Sequence, residues 1–182
     1  MNVNKLEKGD YIRLEGKIFK VLEITHTHLG RGGANLELKL QNLSGGVIRK
    51  NFKPNEDVEY IEIEKKKIFF LYSKREKFYF KDEKGKIIEA EKYLLQDKDK
   101  FLKKNLEVTG YFYNEELVNI ELPIKIEYEV KISPPGVRGD TAQGGSKVVI
   151  CENNLEVVVP LFVKEGDKII VNTETGEYVS KV

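Results

Sequence analysis

The 182-residue chain predicts an all-β fold, on three observations. Short runs alternate apolar and polar side chains at the two-residue period of a strand. Turn residues punctuate those runs at regular spacing. One segment alone, residues 89–104, spaces its apolar side chains (Tyr93, Leu94, Leu95, Phe101, Leu102) at a roughly helical period. Many short strands with even turn spacing point to small barrels.

The elements follow in order. Tyr11–Leu14 and Lys17–Ile24 alternate across the two-residue turn Glu15-Gly16. Leu36–Leu40 alternates cleanly, and Val47–Phe52 follows the Ser44-Gly45-Gly46 turn. Lys53-Pro54-Asn55 interrupts the pattern before a strand at Val58–Ile63. A basic run, Lys65-Lys66-Lys67, leads into Ile68–Tyr72. Hairpins are expected from Phe78–Phe80 to Ile87-Ile88, and from Tyr111–Tyr113 to Leu117–Ile120 across Asn114-Glu115. A further strand spans Ile126–Ile132, after Leu122-Pro123. These breaks give three modules of about sixty residues, 1–64, 65–125 and 126–182, small but viable as a joined set. An internal echo fits that division. Lys8-Gly9-Asp10 before one hairpin resembles Glu165-Gly166-Asp167 before another.

Composition narrows the classes. The chain is 40% hydrophobic and 34% charged, which is globular and not disordered. Its formal charge is +1, without the strongly basic signature of a simple nucleic-acid binder. Residues 1–64 carry ten basic and ten acidic side chains, 65–126 fifteen and eleven, and 127–182 six and nine. Any RNA contact must therefore come from local patches and shape. The start of the chain shows no signal-peptide pattern, and no apolar run reaches the length of a membrane span. Cys151 has no partner for an internal disulfide and suits a reducing compartment as a small buried hydrophobe. A cytoplasmic location is expected.

Two glycine-rich stretches stand out. The first is Gly136-Val137-Arg138-Gly139-Asp140-Thr141-Ala142-Gln143-Gly144-Gly145, followed by Val159-Pro160-Leu161-Phe162-Val163. Four glycines in ten residues contribute no apolar burial and raise the entropic cost of ordering. A chain keeps them where the backbone takes positive φ or where another backbone comes close. The second is His28-Leu29-Gly30-Arg31-Gly32-Gly33-Ala34, between two clean strands. One cation among three glycines reads as an arm presenting a single guanidinium, against the plainer reading of an ordinary exposed hairpin loop.

Together these residues resemble the bacterial elongation factor P family. The Gly139-Asp140-Thr141-Ala142-x-Gly144-Gly145 loop matches the family's C-terminal domain. Gly30-Arg31-Gly32 and Ala34 match the tip of its N-terminal hairpin, and a Leu-Pro recurs at the second boundary. The resemblance implies a KOW or SH3-like barrel followed by two OB-type barrels in an L-shaped, tRNA-like outline. It implies a translation factor that docks on both ribosomal subunits beside peptidyl-tRNA. Arg31 would meet the acceptor end, within a tip loop of His28, Leu29, Gly30, Gly32, Gly33 and Ala34. Arg138, Gly139, Asp140, Thr141, Ala142, Gly144 and Gly145 would contact RNA near the small subunit. The expected action is relief of stalling at consecutive prolines, where the ring restricts φ and the nitrogen is a secondary amine. A cationic tip bracing the acceptor end would act by positioning and electrostatics, leaving bond chemistry to the ribosome.

The sequence departs from the commonest family pattern at two positions. Arginine stands where lysine is usual, and Leu29 where proline is usual. A guanidinium stays charged and is a different nucleophile from an amine. Family members with a tip arginine either carry a rhamnose on it or use it bare, so Arg31 is a candidate rhamnosylation site with its own modifying enzyme. A monomer without membrane contact and without cofactor is expected.

Other chemistry is weak. His26 and His28 alone make a poor metal site. No phosphate-cradling Gly-x-x-x-x-Gly-Lys-Ser/Thr occurs, and no nucleophile, base and orienter fall together, so no catalytic residue is assigned and an enzyme is not expected. The aromatics Phe69, Phe70, Tyr72, Phe78, Tyr79 and Phe80, among Lys74, Arg75, Lys77 and Lys81, serve either as barrel filling or as a base-stacking surface. The second use supports an alternative function, a free-standing single-stranded RNA-binding protein. A third reading is a structural adaptor whose glycine loops dock proteins.

Overall fold

The computed structural model describes residues 1–28, 34–135 and 145–182. Among the described residues the fold is all-β, as the alternation predicts, with three five-stranded sheets. The first contains β1 (Tyr11–Leu14), β2 (Lys17–His28), β3 (Ala34–Asn42), β4 (Val47–Phe52) and β5 (Glu59–Ile61), in the order β4-β3-β2-β1-β5. The second contains β6 (Glu64–Lys74), β7 (Lys77–Asp82), β8 (Ile87–Glu91), β9 (Glu107–Tyr113) and β10 (Glu116–Glu121), in the order β10-β9-β6-β7-β8. The third contains β11 (Lys125–Ile132), β12 (Ser146–Cys151), β13 (Glu156–Pro160), β14 (Lys168–Asn172) and β15 (Tyr178–Lys181), in the order β13-β12-β11-β14-β15. In this last sheet the edge strands β13 and β15 approach each other, so it curls toward a barrel.

Hairpin chemistry sets the register. Glu15-Gly16, Arg75-Glu76 and Asn114-Glu115 all take positive φ at both positions. That is the type I′ turn, whose twist matches the flanking strands. β1 then pairs with β2 from Tyr11↔Lys20 to Leu14↔Lys17.

By density of contacts the chain forms two compact units. One is Met1–Lys66 with Tyr93–Gln96 and Gly110–Ile120; the other is Lys67–Lys92 with Asp97–Thr109 and Glu121–Val182. The first unit buries Val3, Ile12, Phe19, Val21, Leu36, Leu38, Leu40 and Phe52 together. Leu36, Leu38 and Leu40 alternate along β3, each contributing about 1.5–3 kcal/mol by leaving water. In the second unit, Ile126, Tyr128 and Val130 on β11 face inward, with Ile169 and Val171 on β14 and Val149 and Cys151 on β12. Cys151 is a buried thiol, as its strand position predicts.

Residues 89–104 depart from the expected helix. β8 runs to Glu91, and two 3-10 turns follow at Lys92–Leu95 and Asp99–Phe101. The break has a local cause: Gln96 and Asp97 adopt left-handed φ of 49° and 62°. That conformation ends a right-handed helix. The two turns still tuck Leu94, Leu95, Phe101 and Leu102 inward, which is why their spacing imitates a helix. Among the described residues, no helix is long and apolar enough to cross a membrane.

Candidate functional site

The first candidate site is the β2–β3 ribbon. Its ladder extends past the core, through Thr25↔Glu37, His26↔Leu36 and Thr27↔Asn35 to His28↔Ala34. Thr25, His26 and Thr27 are exposed. The strands therefore outrun the Ile24 and Leu36 limits read from alternation. β-branched Thr25 and Thr27 favour extended backbone even where no core imposes a pattern. A bulge between Val21 and Glu23 adds local twist at the ribbon's root. Beside the root, Arg49 Nη1 on β4 donates to Glu37 Oε1 on β3 at 2.8 Å. Among the predicted tip residues, His28 ends β2 and Ala34 begins β3. Leu29, Gly30, Arg31, Gly32 and Gly33 lie outside the described residues.

The second candidate site is the connection between β11 and β12. Both of its feet sit against the segment Leu161–Val163. The Ser133 hydroxyl donates to the Val163 carbonyl at 3.0 Å. At the other foot, a Cβ on Gly145 would stand 3.0 Å from Leu161 Cδ1, so glycine fits there because a side chain comes close. Phe162, between those two contacts, is 60% exposed. Arg138, Gly139, Asp140, Thr141, Ala142 and Gly144 lie outside the described residues. Sequence reading picked out Gly145 and the Leu161–Val163 run but missed Ser133, whose signal is only a hydroxyl before two prolines.

Electrostatics near this connection are local pairs. Lys131 Nζ donates to Glu129 Oε1 at 2.8 Å on β11. That bond holds the Glu129 carboxyl below and the Lys131 ammonium above their usual ranges. Both groups are exposed, so the pair contributes little to stability. Among the described residues, no three His, Cys, Asp or Glu side chains gather as metal ligands would.

The aromatic cluster divides by face. Phe70, Phe78 and Phe80 are buried, with Phe70 and Phe80 centroids 5.5 Å apart. Phe69, Tyr72 and Tyr79 lie on the other side of β6 and β7, half-buried or exposed. Barrel filling accounts for the first three only.

Residues 2–58 match the family model "Elongation factor P (EF-P) KOW-like domain", and residues 126–181 match "Elongation factor P, C-terminal". The chain is 40% identical over 177 residues to the elongation factor P of Thermoanaerobacter sp., covering 96% of each protein. It is 39% identical over 187 residues to that of Dictyoglomus turgidum, covering all of this chain and 99% of the relative. Among solved structures, a translation initiation factor eif-5a family protein from Naegleria fowleri superposes with a TM-score of 0.52 at 16% identity. It covers 67% of this chain and 96% of its own, a likeness of fold alone.

Proposed function

Because the chain belongs to the elongation factor P family, translation factors and not enzymes, we propose that it binds the ribosome beside peptidyl-tRNA and relieves stalling at consecutive prolines. The observation that carries this reading is the β2–β3 ribbon, paired in unbroken register from Glu23↔Lys39 to His28↔Ala34. Strand ends held in register are a sound base for positioning a reactant, because each hydrogen-bonded pair removes backbone freedom before binding. Arg31 stands midway in sequence between those ends. In this proposal its guanidinium braces the tRNA acceptor end against phosphate, and the ribosome performs the chemistry. The Gly139–Gly145 loop meets RNA at the small subunit, and the three modules 1–64, 65–125 and 126–182 act as successive spacers. Rhamnosylation of Arg31 belongs to the same proposal.

The test is synthesis of a reporter with three consecutive prolines in a purified translation system, with and without the protein. Relief by unmodified recombinant protein supports the function and a bare Arg31. Relief only by protein from its native host, together with an intact mass one deoxyhexose heavier, supports the modified tip. Failure of both preparations overturns the proposal.

A further inference from the structure

The outward face of β6 and β7 carries a stacked pair of tyrosines. Tyr72 and Tyr79 are cross-strand partners whose rings stack at 4.8 Å between centroids and 22° between planes. Tyr72 remains 53% exposed, with one ring face laid against Tyr79. Aromatic pairs of this kind normally gain their stability from burial. Here half of the outer ring's surface is left in water, although three other aromatics of the same hairpin are buried.

The neighbours make this face selective. Phe69 pairs with Lys81 two steps along the ladder, and Lys74 pairs with Lys77 two steps away on the other side of the tyrosines. Tyr79 and Lys81 sit two residues apart on one face, about 7 Å. An open groove of about 520 Å³ adjoins them, lined by Phe69, Lys81, Gly85 and Asn105 together with the acidic Asp82 and Glu83. Lys77 is held by Glu89 and Glu91 on β8. Lys74, Arg75 and Lys81 make no ion pair among the described residues. Lys74 on β6 and Lys81 on β7 are therefore unpaired cations at either end of the tyrosine pair, with Arg75 in the turn beyond Lys74. Carboxylates border them on β8 and, past Lys81, at Asp82 and Glu83. An acidic peptide would meet the cations but has no use for two flat rings. A duplex would meet the cations but keeps its bases inside.

We propose that this face binds unpaired nucleotides of single-stranded RNA, with one base stacked on Tyr72 and the backbone tracking Lys74 and Lys81 on either side of it. Stacking on an exposed ring tolerates any base, and lysines along the strand track phosphates. The surface is independent of the ribbon and of the β11–β12 connection.

The experiment is fluorescence anisotropy with a labelled oligouridine of about 12 nucleotides, titrated with the full-length protein at several salt concentrations. Tyr72→Ala weakens binding at least about five-fold, and Tyr72→Phe, which keeps the ring, restores it. Lys81→Ala weakens binding and flattens the logarithmic salt slope by about 0.7. Tyr60→Ala, at an exposed tyrosine on β5, binds as wild type. Thermal melts of each variant check the fold, and at an exposed position they stay unchanged. No binding by the wild-type chain overturns the proposal. So does wild-type binding by Tyr72→Ala, or equal affinity for a duplex of the same length, which would mark a simple charged surface.

Discussion

Asp10 and Asp167 hold the same turn in the two units of the chain. Asp10 Oδ2 accepts from the Glu7 N–H at 2.8 Å, and Asp167 Oδ2 accepts from the Lys164 N–H at 2.8 Å. The glycine before each, Gly9 or Gly166, takes positive φ. Its N–H donates to a strand carbonyl, Val21 or Val130, at 2.8 Å in both cases. The same valine's N–H returns a bond to the aspartate carbonyl, again at 2.8 Å. The Gly-Asp echo in the sequence is thus one device, a turn that starts a hairpin.

That device has a pH signature at Asp167. The Lys164 N–H, followed by Lys181 at 2.9 Å, keeps the Asp167 carboxyl below its usual range. A depressed folded pKa gives stability that is present above the unfolded value, 3.8, and is lost as pH falls through the lower folded value. Asp167→Ala is expected to lower Tm by a few degrees at pH 7, with a smaller deficit in strong acid, where wild type has lost the same bond. Thermal melts at the two pH values check this.

Gly166 isolates the backbone contribution. Its φ is +84° and nothing lies within 4 Å of an added Cβ, so substitution there meets no steric clash. Gly166→Ala is expected to cost about 1 kcal/mol through the left-handed backbone alone. In a chain of this length that lowers Tm by about 2–4 °C. Gly166→Asn costs less, because its short polar side chain tolerates that region. Equal losses for the two variants would point away from backbone strain.

These turns show which features are legible in a sequence. β4 was readable to its end residues, Val47 and Phe52, because a turn and a proline-containing break bracket it. The outer ribbon was not, because Thr25, His26 and Thr27 face water on both sides and leave no alternation to read. The expected helix failed at Gln96 and Asp97, where a contact distant in sequence intervenes: Gln96 Nε2 donates to the Leu43 carbonyl at 2.6 Å. Arg31 and the Gly139–Gly144 loop were legible only as motifs. A glycine pattern signals a demand on the backbone without stating which partner imposes it. Ser133 was invisible for the opposite reason, since a single hydroxyl bond leaves no pattern at all.

Tyr128 fastens β11 to the 3-10 turn at Phe101. Its hydroxyl donates to the Phe101 carbonyl, and the side chain is fully buried. Burial first, then the nearby Cys151 and Glu152, pushes its phenol far above the ordinary range, so it remains a donor. Tyr128→Phe keeps the ring and removes that donor. The expected loss is about 1–3 kcal/mol in denaturant unfolding, as for a buried acceptor left unmatched. A variant of wild-type stability would show that water replaces the bond.

Cys151 predicts the alkaline limb. Burial, with a smaller push from Glu152, raises its thiol from 9.0 to about 11 against an opposing pull from Lys103. A raised folded pKa gives stability that is complete below the unfolded value and is lost as pH rises toward the folded one. Stability is therefore expected to fall between pH 9 and about 11, less steeply in Cys151→Ala. At pH 8 a thiol reagent should modify Cys151 only as fast as the protein opens. Rapid labelling of the native chain would contradict the buried placement.

A substitution at Arg31 tests the proposed function apart from the fold. His28 and Ala34, on either side of it in sequence, are joined through backbone register. Arg31→Ala is therefore expected to leave Tm and the denaturation midpoint unchanged. If the guanidinium braces the tRNA acceptor end, the same variant reduces polyproline reporter synthesis to the level seen without the factor. Ribosome association should weaken far less, because the proposed contacts of the other modules remain. Reporter rescue equal to wild type would remove Arg31 from the mechanism and leave the ribbon as a spacer only. Loss of rescue together with a lowered Tm would instead trace the defect to the fold.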